Sequence, residues 1–256
     1  MEQHRMIIAA NWKMNFTYEQ AAKTAHDYRE FMLQNALKLQ ENEMNIVAFP
    51  PALYGALLND VCQETELTWG GQSCLDKSQG AYTGDISPPM FASAGATWQL
   101  IGHSERRVGH GESDEFIARQ MHAASEAGLK VILCVGESLA QREAGNAEDV
   151  VMSQIASACT HGLSKTQLVI AYEPVWAIGT GKVASPDDVE QMHKTIANFC
   201  VNNQAMSAPP LILYGGSVNA SNAASLFALP HVDGALVGGA SLKIDDFAGI
   251  RSACLA

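Results

Sequence analysis

Three residues in this sequence have the side-chain chemistry needed to move a proton on a small molecule: Lys13, His103 and Glu173. A carboxylate can act as a general base, an imidazole as an acid or hydrogen-bond donor, and an ammonium as a partner for developing negative charge. Taken singly, each also has an ordinary structural explanation as a surface lysine, a packed histidine or a helix-capping glutamate. A catalytic role for these residues therefore requires that the fold bring them close together.

Glu173 comes directly after the apolar run Leu168–Tyr172 and before Pro174. A carboxylate at the end of a buried strand is partly removed from water, which suits proton abstraction from carbon. The alternative is a glutamate that caps a helix or forms an ion pair. We expect Glu173 to be the base.

Lys13 and His103 leave more than one chemistry open. The ammonium of Lys13 could bind an anionic oxygen or form a Schiff base with a carbonyl substrate. The imidazole of His103 could be a general acid, could donate a hydrogen bond to a reacting carbonyl, or could be a satisfied core histidine.

Two glycine pairs are typical of phosphate binding. Gly215-Gly216 is followed by Ser217, and Gly238-Gly239 follows a later apolar run. Glycines allow backbone N–H groups to approach a phosphate closely, although either pair alone could simply form a turn.

The segment from Pro174 to Ala184 is longer than most connections and contains Gly179 and Gly181. A loop of this kind next to a catalytic base can close over a reactive intermediate and exclude water. We therefore predict a lid, and the alternative is a plain surface loop.

Eight short apolar runs, which read as buried strands, recur along the whole chain. They are Met6–Ala10, Asn45–Phe49, Leu67–Trp69, Trp98–Ile101, Lys130–Val135, Leu168–Tyr172, Leu211–Tyr214 and Gly234–Val237. Between them lie amphipathic helical segments such as Tyr18–Leu39, Glu115–Ala127, Val150–Cys159 and Pro186–Phe199. Ser113 and Ser185 are expected helix N-caps, and Gly128 an expected helix end.

Buried strands that alternate with helices indicate a parallel sheet, and eight such units favour closure into a barrel. We predict a single α/β domain, a (β/α)8 barrel over residues 1–256, with its active site at the carboxyl ends of the strands. The candidate residues above all follow predicted strands, as does Asn11.

Composition narrows the choice of partners. The net charge of −11 argues against nucleic acid, and the sequence contains neither a signal segment nor an apolar run long enough for a membrane span. Six scattered cysteines are expected to be reduced, and no metal-binding spacing is present. We expect a cytoplasmic protein that needs no metal and no cofactor.

Five strings in the sequence resemble the triosephosphate isomerase family. They are Ala10–Asn15, Ile101–Arg107, Ala171–Gly181, Tyr214–Val218 and Val237–Leu242. The likeness runs in order from the first strand to the last. It implies interconversion of dihydroxyacetone phosphate and glyceraldehyde 3-phosphate through an enediol(ate), a step of glycolysis and gluconeogenesis, without a cofactor.

The resemblance also implies a role for each residue at the predicted site. Glu173 would shuttle the proton, neutral His103 would polarise the carbonyl, and Asn11 and Lys13 would hold the substrate and the oxyanion. That family is the standard example of a glutamate base beside a neutral histidine, so these roles come from the resemblance and not from the spacing. Glu105 would orient Lys13. Backbone amides at Gly179, Ser217, Gly238 and Gly239 would bind the phosphate, and the lid would include Pro174, Trp176, Ile178, Gly179, Thr180 and Gly181.

The segment from Gln72 to Ile86 is far longer than a usual connection between strand and helix. In the family that the chain resembles, this loop inserts into a neighbouring subunit, so the resemblance implies a homodimer. One departure is Ser73, where that family usually has asparagine; it bears on the interface rather than on the chemistry.

Two other functions fit parts of the pattern. An aldolase-type lyase would use Lys13 as a Schiff base, and borohydride trapping with substrate would detect it. A catalytically silent barrel kept for binding would retain the fold without turnover. The complete set of Glu173, His103 and Lys13 argues against the silent barrel.

Overall fold

The computed structural model describes residues 6–160, 168–178, 184–203 and 208–254. Within them, eight parallel strands pair in chain order and close into a barrel. The strands are β1 (Met6–Asn11), β2 (Met44–Phe49), β3 (Thr68–Gly71), β4 (Trp98–Ile101), β5 (Lys130–Val135), β6 (Leu168–Tyr172), β7 (Leu211–Tyr214) and β8 (Gly234–Val237). The predicted eight-stranded parallel barrel is thereby confirmed.

Helices surround the barrel. The described residues contain ten α-helices: α1 (Tyr18–Glu41), α2 (Gly55–Cys62), α3 (Pro88–Ser93), α4 (Ser104–His110), α5 (Asp114–Glu126), α6 (Leu139–Glu143), α7 (Ala147–Ala158), α8 (Pro186–Asn203), α9 (Ala223–Phe227) and α10 (Ile244–Ala253). Short 3₁₀ helices occupy Ala52–Tyr54, Val175–Ala177 and Gly239–Leu242. Of the described helices, none combines the length and apolar character that crossing a membrane requires.

Local signals at the helix ends agree with the sequence. The Ser113 side chain accepts a hydrogen bond from the Phe116 N–H at the start of α5, and the Ser185 side chain accepts one from the Asp188 N–H at the start of α8. Gly128, which follows α5, has a φ of 75°. These serines and this glycine therefore begin and end their helices as predicted.

Alternate residues of each strand face different parts of the core. Ile7 and Ala9 of β1 belong to the cluster that fills the barrel. Ile8 and Ala10 belong to the larger cluster between the strands and the helices. Both faces of a strand are buried in this arrangement, which explains why the strands read as continuous apolar runs.

Strand β3 differs most from its prediction, since it begins at Thr68 and continues through Gly70 and Gly71. Glycine is uncommon in strands, so the predicted strand ended at Trp69, two residues before the observed end. Here the glycines permit a close approach, because a Cβ on Gly70 would lie 2.4 Å from the Trp98 carbonyl oxygen of β4.

The barrel closes where β8 pairs with β1, in a register that places Gly234 beside Ile7. Gly234 has a φ of 138°, and a Cβ there would lie 1.9 Å from the Ile7 carbonyl oxygen. Only glycine can adopt this conformation without strain and leave room for the neighbouring strand.

We expect Gly234→Ala to lower the free energy of unfolding by roughly 3 kcal/mol or more, because it adds backbone strain and a collision with a carbonyl. Gly128→Ala is the matched control, since its φ is also positive but no atom lies within 4 Å of the added Cβ. The control should lose only about 1–2 kcal/mol. Urea unfolding measures both variants, and equal losses would contradict the importance of this contact.

Candidate active site

A cavity of about 1180 Å³ lies at the carboxyl ends of the strands. Nine of the predicted site residues line it: Asn11, Lys13, His103, Glu105, Glu173, Ile178, Ser217, Gly238 and Gly239. The predicted Gly179, Thr180 and Gly181 lie outside the described residues. The fold therefore gathers side chains that are far apart in the sequence into one place.

Glu173 is 2% exposed, and both of its carboxylate oxygens have partners. Oε2 accepts a hydrogen bond from the Ser104 N–H at 2.9 Å, and Oε1 lies 3.0 Å from His103 Nε2. The main chain is equally restricted, because the Glu173 N–H donates to the Val135 carbonyl at 2.7 Å and a Cβ on Gly136 would lie 1.7 Å from the Glu173 carbonyl oxygen.

His103 is the N-cap of helix α4, and its side chain is oriented by that helix. The Glu105 backbone N–H donates to Nδ1 at 3.2 Å. A nitrogen that accepts this hydrogen bond carries no proton, so the neutral tautomer has its proton on Nε2. Nε2 is the nitrogen that faces Glu173, and the ring can therefore donate a hydrogen bond within the cavity.

Lys13 has a left-handed backbone conformation, with a φ of 51°. Two hydrogen bonds hold it: the Lys13 N–H donates to Asn11 Oδ1 at 3.0 Å, and Gln72 Nε2 donates to the Lys13 carbonyl at 2.8 Å. Such a conformation costs a non-glycine residue about 1–3 kcal/mol. Lys13 is thus kept in a strained geometry that points its side chain into the cavity.

Glu105 fixes the end of the Lys13 side chain, since Lys13 Nζ lies 2.5 Å from Glu105 Oε1. Partial burial favours the neutral carboxyl, but the hydrogen bond and charge of Lys13 outweigh it and lower the pKa of Glu105 from its ordinary value. Glu105 is therefore a carboxylate at neutral pH.

The two glycine pairs lie on the side of the cavity formed by β7 and β8. A Cβ on Gly239 would meet no atom within 4 Å, so the backbone of this residue borders open space. A Cβ on Gly238 would lie 3.2 Å from Lys13 Cε. The start of the short helix Gly239–Leu242 is therefore close to the Lys13 side chain, an arrangement common for phosphate sites in barrels.

The predicted lid begins with Pro174 and the 3₁₀ helix Val175–Ala177. Its base contacts the glycine-rich side of the cavity, because the Ser217 hydroxyl donates to the Ala177 carbonyl at 3.3 Å. Ile178 reaches the cavity, but Trp176 does not line it. Trp176 instead contacts Glu137 and Arg142.

Glu137 holds Trp176 in that position. The sequence analysis did not predict Glu137 as a site residue. It is completely buried, and its Oε1 accepts hydrogen bonds from Trp176 Nε1 at 2.8 Å and from the Tyr172 hydroxyl at 3.1 Å. Arg142 adds an ion pair at 3.2 Å and lies over the Trp176 ring at 4.9 Å from its centroid.

A signal for Glu137 was present in the sequence. It follows β5 by two residues, just as other site residues follow their strands. Ser104 and Gln72 also follow strands closely, although Ser104 contributes only a backbone N–H, which residue type does not reveal.

Cys134 lies at the end of β5 and is completely buried. Burial and the charge of Glu173 raise the pKa of its thiol well above the ordinary value. A thiol in this state is a poor nucleophile, so its packing role is favoured over a chemical one.

Comparison with known proteins identifies close relatives over almost the whole chain. The profile of the family described as Triosephosphate isomerase matches residues 6–254. A triosephosphate isomerase from Bradyrhizobium diazoefficiens is 43% identical over 251 residues, and one from Xanthobacter flavus is 44% identical over 252, each covering 98% of both chains. The solved structure of the triosephosphate isomerase from Bartonella henselae is 36% identical, with a TM-score of 0.85, and covers 98% of this chain and 100% of that one.

We expect Glu137→Gln to lower the free energy of unfolding by about 2 kcal/mol or more, because the neutral amide weakens the hydrogen bonds from Trp176 and Tyr172 and buries an NH2 donor where Oε2 has no partner. Glu143→Gln is the control, because Glu143 is an exposed glutamate of the neighbouring helix α6 and should change stability by less than about 0.5 kcal/mol. Chemical unfolding measures both. Identical stabilities for the two variants would exclude Glu137 as the support of the lid base.

Proposed function

The chain belongs to the triosephosphate isomerase family, and we propose that Glu173, His103, Lys13 and Asn11 are its catalytic residues. It interconverts dihydroxyacetone phosphate and D-glyceraldehyde 3-phosphate by proton transfer through an enediol(ate). The observation that carries the assignment is the contact between a buried carboxylate and an imidazole at the cavity, Glu173 Oε1 to His103 Nε2 at 3.0 Å.

The proposed first step removes a proton from carbon. Glu173 takes the proton from C1 of dihydroxyacetone phosphate, the electrons of that C–H bond form the C1=C2 double bond, and the C2 oxygen takes up negative charge. The carboxylate has to turn from the Ser104 N–H to reach C1, and the substrate carbonyl then replaces it as the partner of His103 Nε2.

The developing oxyanion needs nearby positive charge and hydrogen-bond donors. Lys13 Nζ supplies the charge, and His103 Nε2–H supplies a donor. His103 can deliver its proton to the C2 oxygen and accept one from the C1 hydroxyl, while Glu173 returns its proton to C2. Protons and electrons then balance with groups of the chain alone, so the proposed mechanism needs no metal or cofactor.

Glu105 supports this chemistry indirectly. Its 2.5 Å contact with Nζ places the Lys13 ammonium, and its backbone N–H fixes the tautomer of His103. We assign it a positioning role, because both contacts act on catalytic groups.

Phosphate recognition is assigned to backbone amides of Gly179, Ser217, Gly238 and Gly239. The support is the open space at Gly239 and the closeness of Gly238 to Lys13. Pro174, Trp176, Ile178, Gly179, Thr180 and Gly181 form the proposed lid, which would exclude water from the enediolate. Trp176 and the Ala177 carbonyl are held by Glu137 and Ser217, so this part of the proposed lid would be its fixed base.

Glu173→Gln tests the assignment of the base. We expect kcat to fall by at least about 10²–10⁴-fold while KM changes little, because the amide keeps the shape but cannot accept a proton. The assay couples glyceraldehyde 3-phosphate turnover to glycerol-3-phosphate dehydrogenase, with and without a chelator. Glu126→Gln, at an exposed site on α5, is the control.

A near-normal kcat in Glu173→Gln would remove this residue from the mechanism. Borohydride with substrate should leave no adduct on Lys13, and a trapped adduct would instead favour the lyase.

We further propose a homodimer formed through the loop from Gln72 to Ile86. The loop is tied to the site at its start, where Gln72 Nε2 contacts the Lys13 carbonyl, and Ser73 Oγ donates to Glu112 Oε1 at 3.2 Å. Large apolar side chains near it are open to solvent: Met14 is 95% exposed and Tyr82 is 44% exposed. Such side chains beside a charged site are expected to be covered by a second copy.

Sedimentation velocity at micromolar concentration should show a dimer, and Met14→Glu should shift it toward monomer because a charge would be buried at the interface. Leu37→Glu, at a residue that is 74% exposed on the outer helix α1, is the matched control and should leave the dimer intact. A monomeric unmodified protein would sink the proposal, as would equal effects of the two variants.

A further inference from the structure

A buried tyrosine that does not line the cavity contacts the short helix that is assigned to phosphate binding. Tyr28 lies on α1 and is completely buried. Its hydroxyl donates to the Ser241 carbonyl oxygen at 2.9 Å. Ser241 is also completely buried and belongs to the 3₁₀ helix Gly239–Leu242.

Ser241 is tied to the cavity by two other contacts. Its hydroxyl donates to the Asn11 carbonyl at 3.3 Å, and its N–H donates to the Gly238 carbonyl at 2.8 Å. One residue therefore connects the glycine pair, the end of β1 and helix α1.

The Tyr28 ring is held from two sides. Its centroid lies 5.0 Å from that of Phe247 on α10 and 5.9 Å from that of Trp12, which precedes Lys13. A buried hydroxyl without a hydrogen-bond partner is unfavourable, so the packed ring keeps its hydroxyl on the Ser241 carbonyl. The hydrogen bond from the Tyr28 hydroxyl therefore holds the Ser241 carbonyl in one position.

We propose that Tyr28 is a positioning residue for the phosphate subsite, acting through Ser241 to set the height and tilt of the helix Gly239–Leu242. Tyr28 touches no substrate atom in this account. The inference rests on the proposed assignment of Gly238 and Gly239 to phosphate. Without the hydroxyl, the helix keeps its sequence but loses the contact that fixes its end, so its backbone N–H groups no longer meet the phosphate in one geometry.

The test compares Tyr28→Phe with Tyr54→Phe. Tyr54 is also buried and also donates to a backbone carbonyl, that of Phe16 at 2.7 Å, and Phe16 does not line the cavity. Both variants lose one hydrogen bond and should lose similar stability. Only Tyr28→Phe should weaken phosphate binding, raising KM for glyceraldehyde 3-phosphate and the competitive inhibition constant of inorganic phosphate by the same factor, roughly 3–10-fold.

A second substrate separates positioning from general damage. Unphosphorylated D-glyceraldehyde has no phosphate, so its kcat/KM should be the same in Tyr28→Phe and in the unmodified protein. Equal inhibition constants in Tyr28→Phe and Tyr54→Phe would overturn the inference, as would parallel losses on both substrates. If Tyr28→Phe does not fold, Phe247→Leu, which frees one side of the Tyr28 ring and keeps its hydroxyl, should raise the same inhibition constant, and an unchanged value would count against the inference.

The same data keep the two proposals distinct. If inorganic phosphate does not compete with substrate in the unmodified protein, the assignment of the subsite itself fails. If it competes there and Tyr28→Phe leaves its inhibition constant unchanged, the subsite stands and the role of Tyr28 is wrong.

Discussion

The pairing of β8 with β1 turns eight strands into a ring, and the position of each functional group follows from that closure. Since all strands run the same way, their carboxyl ends lie on one rim and their following residues face a common cavity. Asn11, the first candidate residue in the sequence, thereby lines the same cavity as Gly238, which lies near the end of the chain. An open sheet with the same strand order would place the first and last strands at opposite edges.

On that rim, three carboxylates have three different surroundings. Glu173 accepts from a backbone N–H and an imidazole, Glu137 accepts from a tyrosine, a tryptophan and an arginine, and Glu105 contacts Lys13. The same functional group is suited to proton transfer, to support of a loop and to placement of a cation, because its donors differ. This local arrangement matters in a chain whose net charge is −11, since an anionic substrate can be attracted only by groups placed close to it.

Much of this architecture could be predicted because the signals are local. Strands buried on both faces read as apolar runs, and β4 to β8 begin and end where the pattern predicts. The position of polar residues directly after predicted strands also predicts Lys13, His103 and Glu173 as site residues. The bounds of β3 were predicted less accurately, because the sequence does not reveal that the Trp98 carbonyl occupies the space that a Cβ on Gly70 would need.

Other parts of the site depend on contacts that residue types do not encode. Tyr28 and Ser241 are 213 positions apart, and nothing in the spacing indicates that one hydroxyl meets one carbonyl. The Ser104 N–H is a donor that every residue except proline has, so only the fold shows that it meets Glu173.

The left-handed backbone of Lys13 places stability and turnover in opposition at one position. Asparagine or glycine would adopt a φ of 51° at lower cost, and either would relieve strain that the surrounding hydrogen bonds now restrain. Replacing Lys13 by asparagine or glycine would therefore favour the folded state while removing the ammonium. On its proposed role, Lys13 is thus a residue that selection for the reaction would maintain against selection for stability.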